Sequence, residues 1–213
     1  WQPRENGYIS VMKTIQSQNP YGDYVVLQML NQAYLNITKH WICNIHHVAP
    51  QVLDLVVFVA IDMDAYRALQ SFSYDKDKNN NSSYSNLKVF YVPFAVPNDE
   101  EKSKMGGSLA SNAQFHYGRM EFFQFLIFRN AFLLKLLSND ISFFLVESDA
   151  YWRRNVLAEV RDYIQQNLTT TSSISSSMPE QPPFDLLCAS DQIMKQVFQG
   201  GFQLNVATPN SRI

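Results

Sequence analysis

The sequence has little with which to cross-link itself, hold a zinc ion or grip a polyanion. Its two cysteines, Cys43 and Cys188, lie far apart and form no CxxC or Cys/His pattern. A structural zinc site is thereby excluded, while a disulfide and two buried thiols both stay open. The histidines add no metal set. His46 and His47 are adjacent and cannot share one helical face, and neither they nor His40 and His116 have a cysteine or acid at a zinc-like spacing. Basic excess is also missing: 17 Lys and Arg stand against 19 Asp and Glu, so no nucleic-acid partner is implied. No apolar run is long enough to span a bilayer. Leu55 to Ile61 is too short, and the stretch 122–137 is interrupted by Arg129 and Lys135. Within these residues we expect neither a signal peptide nor an internal repeat. The chain starts at Trp1, and we expect a mature segment or fragment whose membrane contact, if any, lies outside it.

What is present is material for a core. Hydrophobic residues make up 46% and aromatic residues 14% of 213 positions, enough for one domain or most of one. Apolar strands alternate with helical patterns, the signature of parallel βαβ units. Tyr24 to Met29 reads as the first strand. Asn31 can cap a helix whose face carries Tyr34, Ile37, Trp41 and Ile45, with Pro50 closing the unit. Val52 to Ile61 reads as a second strand, Ala65 to Gln70 as a short helix, and Leu87 to Val92 as a third strand after the polar loop Asp75 to Asn86. A long helix is expected from about Tyr117 to Leu137, then a strand ending at Glu147 and a helix from Asn155 to Gln166. The Ser/Thr/Pro-rich stretch 167–183 reads as a mobile loop, and Phe184 to Ala189 as a last strand.

The chemistry concentrates in Glu147-Ser148-Asp149. Two carboxylates spaced i, i+2 follow the buried run Ile141 to Val146, and so project at a strand's carboxyl end, where open α/β sheets hold ligands. Hard cations such as Mg²⁺ or Mn²⁺ prefer such oxygens and keep positions open for a diphosphate. An acidic turn of purely structural use has the same pattern. The long helix gives a second clue: Glu121, Gln124 and Lys135 share a narrow polar stripe, whereas Arg129 falls among Phe122, Phe125, Leu126, Phe132 and Leu133. A guanidinium in apolar surroundings needs an anion. Glu147, Asp149 or a bound phosphate would supply it; a structural ion pair or a side chain reaching to the rim are the alternatives. A further acidic pair, Asp62 and Asp64, follows the apolar run Val57 to Ile61. It resembles the nucleophile motif of an Asp-dependent phosphatase, or is simply a cap for the helix that follows.

Phe115-His116-Tyr117-Gly118-Arg119, Phe128-Arg129, Leu133 to Leu137 and Phe143 to Trp152 together resemble the nucleotide-diphospho-sugar transferase family. The likeness extends to Asn31-Gln32-Ala33-Tyr34, Trp41-Ile42-Cys43, Ala60-Ile61-Asp62, Phe184 to Leu187 with Asp191, and Gly200-Gly201-Phe202. It implies a GT-A-like fold, a Rossmann-related and mostly parallel sheet flanked by helices. The implied reaction transfers a sugar from a UDP- or GDP-linked donor to a glycan or protein hydroxyl. Glu147 and Asp149 would hold Mn²⁺ or Mg²⁺. Asn31 and Asp62 would contact the nucleoside, Arg119 and Arg129 the phosphates, and Asp191 the donor sugar, unless Asp191 only caps a helix over 192–198. Departures are Glu147 in place of Asp, Arg129 in place of Lys, and Arg153-Arg154-Asn155 in place of Arg-Asp-Pro. They leave room for a catalytically silent member that binds a sugar nucleotide or a partner. The chain ends at Ile213, and a single incomplete domain is expected, without the part that completes the metal shell. N-x-Ser/Thr patterns at Asn36, Asn80, Asn81 and Asn167 suggest the Golgi or another secretory lumen.

Overall fold

A computed structural model describes residues 6–74, 87–94, 119–171, 186–190 and 198–208. In chain order these form helix α1 (Asn6–Gln18), strand β1 (Val25–Leu30), a 3-10 turn (Gln32–Tyr34), α2 (Leu35–Val48), a second 3-10 turn (Pro50–Leu55) and β2 (Val56–Ala60). They continue with α3 (Met63–Tyr74), β3 (Lys88–Tyr91), α4 (Met120–Ser138), β4 (Phe143–Val146), α5 (Val156–Thr171), β5 (Leu186–Ser190) and β6 (Phe198–Asn205). The strands make one six-stranded sheet in the order β3-β2-β1-β4-β6-β5. β1, β2, β3 and β4 run parallel, and β6 is antiparallel to both β4 and β5. Every residue of β2 and β4 is buried, as expected of parallel strands covered on both faces. This is the GT-A-like, mostly parallel α/β fold expected from the sequence.

Register shows what covers each face. Val59 pairs with Phe90 and Phe58 with Val89, so Phe58 and Phe90 point to opposite sides. Trp41 of α2 meets Phe58 edge-on at 6.3 Å. On the other face Tyr8 of α1 meets Phe90 at 6.2 Å and Phe132 of α4 at 5.8 Å. The sheet is therefore sandwiched, with α2 on one side and α1 and α4 on the other. Among the described residues no helix is long and apolar enough to cross a membrane.

The structure departs from expectation in several places. The run Val52 to Leu55 belongs to a 3-10 turn that starts at Pro50, and only Val56 onward pairs. A fully buried apolar run does not by itself distinguish strand from helix. α1 went unread, although Tyr8, Met12 and Ile15 are buried at helical spacing. Phe198, the end of the alternative helix over 192–198, opens β6, which carries Gly200 and Gly201 where its register with β5 shifts between Cys188 and Ser190. α5 runs through Thr171, so the first residues of the expected loop 167–183 are helical, and 172–183 lie outside the described residues. In α4 the wet face is not the polar stripe. Met120, Phe123, Ile127 and Leu134 are exposed, whereas Glu121, Gln124 and Lys135 are half-buried. The helix is rotated by the demands of its inner side, where Phe132 and Leu136 meet the sheet and Phe125 and Phe128 pack on Phe94 at 6.0 and 5.1 Å.

Candidate active site

Strand order reverses between β1 and β4, since β1 leads to β2 and β3 on one side and has β4 on the other. Loops at the carboxyl ends diverge at such a point and leave a crevice. Here it is a cavity of about 330 Å³. Its rim carries Asn31 and Tyr34 from the end of β1 and Glu147, Ser148 and Asp149 from the end of β4. α4 closes it with Phe122, Phe125, Leu126 and Arg129.

Arg129 and Glu147 meet as the helix phase required. Arg129 Nη1 donates to Glu147 Oε1 at 2.9 Å, with the two side chains 21% and 39% exposed. The guanidinium is not saturated. Its Nε–H is buried and has no acceptor among the described residues, which leaves a donor for a further anion in the cavity. Burial pushes the Glu147 carboxyl above its ordinary range, the Arg129 charge and hydrogen bond pull it back, and Asp149 pushes it up again. Asp149 is exposed at the rim, and its carboxylate makes no hydrogen bond or ion pair among the described residues.

The raised Glu147 carboxyl has a measurable consequence. The folded protein holds this proton more tightly than the unfolded chain, so the group's contribution to stability is complete below the unfolded-state pKa and is lost as pH rises through the folded-state value. Glu147→Gln, fixed in the neutral form, is expected to flatten the thermal midpoint against pH just above the ordinary carboxylate range. Parallel profiles for the two proteins would contradict this assignment.

The turn that bears the acids is tied to α2. Ser148 Oγ shares a hydrogen bond of 3.0 Å with Thr38 Oγ1, both residues being buried. Trp41 Nε1 donates to the Ala150 carbonyl at 3.2 Å, and Asn44 forms a reciprocal pair with Trp152, donating to its carbonyl at 3.0 Å and accepting from its N–H at 2.9 Å. Backbone bonds from Ala150 N–H to Glu147 C=O and from Tyr151 N–H to Asp149 C=O close the turn itself.

The other candidates fare differently. Asn31 is 1% exposed and lines the cavity; it precedes the 3-10 turn rather than α2, and its side chain makes no capping bond. Asp62 is buried, and its oxygens accept from the N–H groups of Ala65 and Gln32, both at 2.7 Å. It therefore caps α3 and ties the end of β2 to the turn after β1, which is the capping reading of the Asp62/Asp64 pair. Asp64 is exposed in the first turn of α3. Arg119 is exposed before α4 and does not line the cavity. Asp191 lies outside the described residues. Tyr34 was read only as helix face, yet it lines the cavity. Burial first, then the charges of Glu147 and Asp149, raise its phenol pKa. It stays neutral and able to donate.

Comparison with protein families matches residues 51–204 to the nucleotide-diphospho-sugar transferases. The chain belongs to this family. The match gives a glycosyltransferase-type function with a nucleotide-sugar donor and runs from before β2 into β6, and the matched span contains Glu147, Asp149 and Arg129. Asn31 and Tyr34, and Ile37 of α2, which also line the cavity, precede the matched span. No curated protein and no solved structure matches the chain.

Proposed function

We propose that this cavity binds the nucleoside diphosphate of a UDP- or GDP-linked sugar with the help of Mn²⁺ or Mg²⁺, for transfer of the sugar to a hydroxyl of a glycan or protein. The observation that carries the reading is the juxtaposition of Arg129, with a buried and unmatched N–H, and two acids of which one is exposed at the rim. The donor set suits a hard cation, since Glu147 and Asp149 both offer carboxylate oxygens at the cavity. Magnesium-type ions are commonly held by one or two carboxylates plus substrate phosphates. When bound, such an ion would supply Lewis-acid stabilisation of charge on the departing diphosphate.

The chain's own groups divide the remaining work. Arg129 presents its Nε–H to a phosphate oxygen while its other arm holds Glu147 in place. Tyr34 offers a neutral hydroxyl and an aromatic face beside the acids. Phe122, Phe125 and Leu126 exclude water along one wall, which strengthens every charge interaction inside. Asn31, buried beside the cavity, would contact the nucleoside, and Asp62, with both oxygens engaged by backbone, supports the strand ends from behind.

A second reading, a silent member that binds sugar nucleotide without transferring it, is favoured by the Arg129–Glu147 pair, which already occupies one oxygen of the first acid. Thermal unfolding with UDP or GDP, each with and without Mn²⁺, tests the shared part. Nucleotide plus ion together are expected to raise the midpoint by several degrees, since a ligand at a hundred times its Kd adds about 2.7 kcal/mol. No shift in any combination contradicts both readings. Sugar release in the presence of an acceptor then separates them.

A further inference from the structure

We propose that Thr38, Trp41 and Asn44 are positioning residues for the cation site: one stripe of α2, at spacing i, i+3, i+6, sets where Glu147 and Asp149 stand. The inference rests on the reading of those acids as a metal-holding pair and adds what fixes their geometry. Residues three apart on a helix lie along one face, and each of these three bonds the acidic turn at a successive point. Thr38 meets Ser148, the residue between the two acids, Trp41 meets Ala150 just after them, and Asn44 clamps Trp152 in both directions. The register is enforced by packing. Trp41 is fully buried, with its ring edge-on to Trp152 at 5.9 Å and 87° and to Phe58 of the sheet at 6.3 Å. α2 is thus braced against the sheet below it while it holds the turn beside it.

The Thr38–Ser148 bond bears most directly on the acids. Ser148 is the middle residue of Glu147-Ser148-Asp149, in the turn closed by the Ala150 N–H to Glu147 C=O bond, so its tie to Thr38 fixes the rotation of that turn and with it the directions of both acids. A hydroxyl pair is suited to this. Both oxygens are buried, so losing one partner leaves the other unsatisfied in an apolar place and frees the turn to rotate. Outer partners of this kind typically change metal affinity 10–100-fold when removed.

The test compares Thr38→Val, which keeps shape and loses the hydroxyl, with Thr38→Ser, which keeps the hydroxyl. Mn²⁺ affinity is measured by titration in the presence of UDP or GDP, beside nucleotide affinity without the ion and the thermal midpoint. Thr38→Val is expected to weaken Mn²⁺ binding by roughly tenfold or more, with ion-free nucleotide affinity unchanged, and Thr38→Ser to stay close to the parent. Loss of both affinities together, or a valine variant with parental Mn²⁺ affinity, overturns the proposal while leaving the metal-site reading intact. A parent chain without ion-dependent binding overturns both. If Thr38→Val does not fold, Asn44→Ala at the outer, half-buried end of the stripe decides by the same two affinities.

Discussion

Asp149→Ala is expected to remove ion-dependent nucleotide binding while leaving the fold intact. Asp149 is exposed at the cavity rim and supports no neighbour by hydrogen bond among the described residues, so truncation costs little stability; surface changes of this kind usually fall within about 0.5 kcal/mol. Its carboxylate is the acid whose oxygens are all free for a cation, whereas Glu147 shares one with Arg129. Loss of affinity should therefore exceed the roughly 10–100-fold typical of outer partners. Asp62→Ala serves as the contrast. That residue caps α3 and receives a second N–H from Gln32, so its removal should lower stability by about 1–2 kcal/mol and weaken nucleotide binding only indirectly. Equal binding by Asp149→Ala and the parent, measured by calorimetry with Mn²⁺ present, would show that the cation is not held here.

Arg129→Ala is expected to reduce both stability and anion affinity. Breaking a fully buried pair costs about 3–5 kcal/mol and breaking an exposed one less than about 1 kcal/mol. With Glu147 39% exposed, the screened value should fall between them, at about 1–2 kcal/mol. The Glu147 carboxyl would lose the neighbour that holds it down, leaving burial and Asp149 to raise it further. Arg129→Lys keeps the charge and loses the Nε–H, so it should recover most of the stability and less of the diphosphate affinity. Chemical denaturation of the three proteins, with UDP affinity measured alongside, separates the two effects. An alanine variant that binds as the parent does would remove Arg129 from the site.

Much of this arrangement could be read from residue order because it rests on short-range physics. Buried apolar runs end where the sheet ends, so Glu147 and Asp149 read as strand-end acids from residue order alone, and Asp62 follows the apolar run that forms β2. Arg129 was legible as a charge out of phase with its helix. The same phase argument misjudged the wet face of α4, because that helix is apolar on nearly every side and tertiary contacts with Phe94 and the sheet chose its rotation. The role of Asp62 was open between cap and ligand, and only its two N–H partners show which bonds it makes. The brace on α2 was not legible. Thr38 and Asn44 look like ordinary polar helix residues, and their partners lie 110 and 108 positions away. β6 was hidden by Gly200 and Gly201, which argue against a strand and here lie where the register between β5 and β6 shifts.

Calorimetric titration of this chain with UDP and with GDP, in the presence and absence of Mn²⁺, measures the central claim most directly. The account predicts that one of the nucleotides binds with an affinity that rises at least tenfold when the ion is present, and that Asp149→Ala abolishes the rise. Binding of the same strength with and without Mn²⁺, or no binding of either nucleotide, would contradict it.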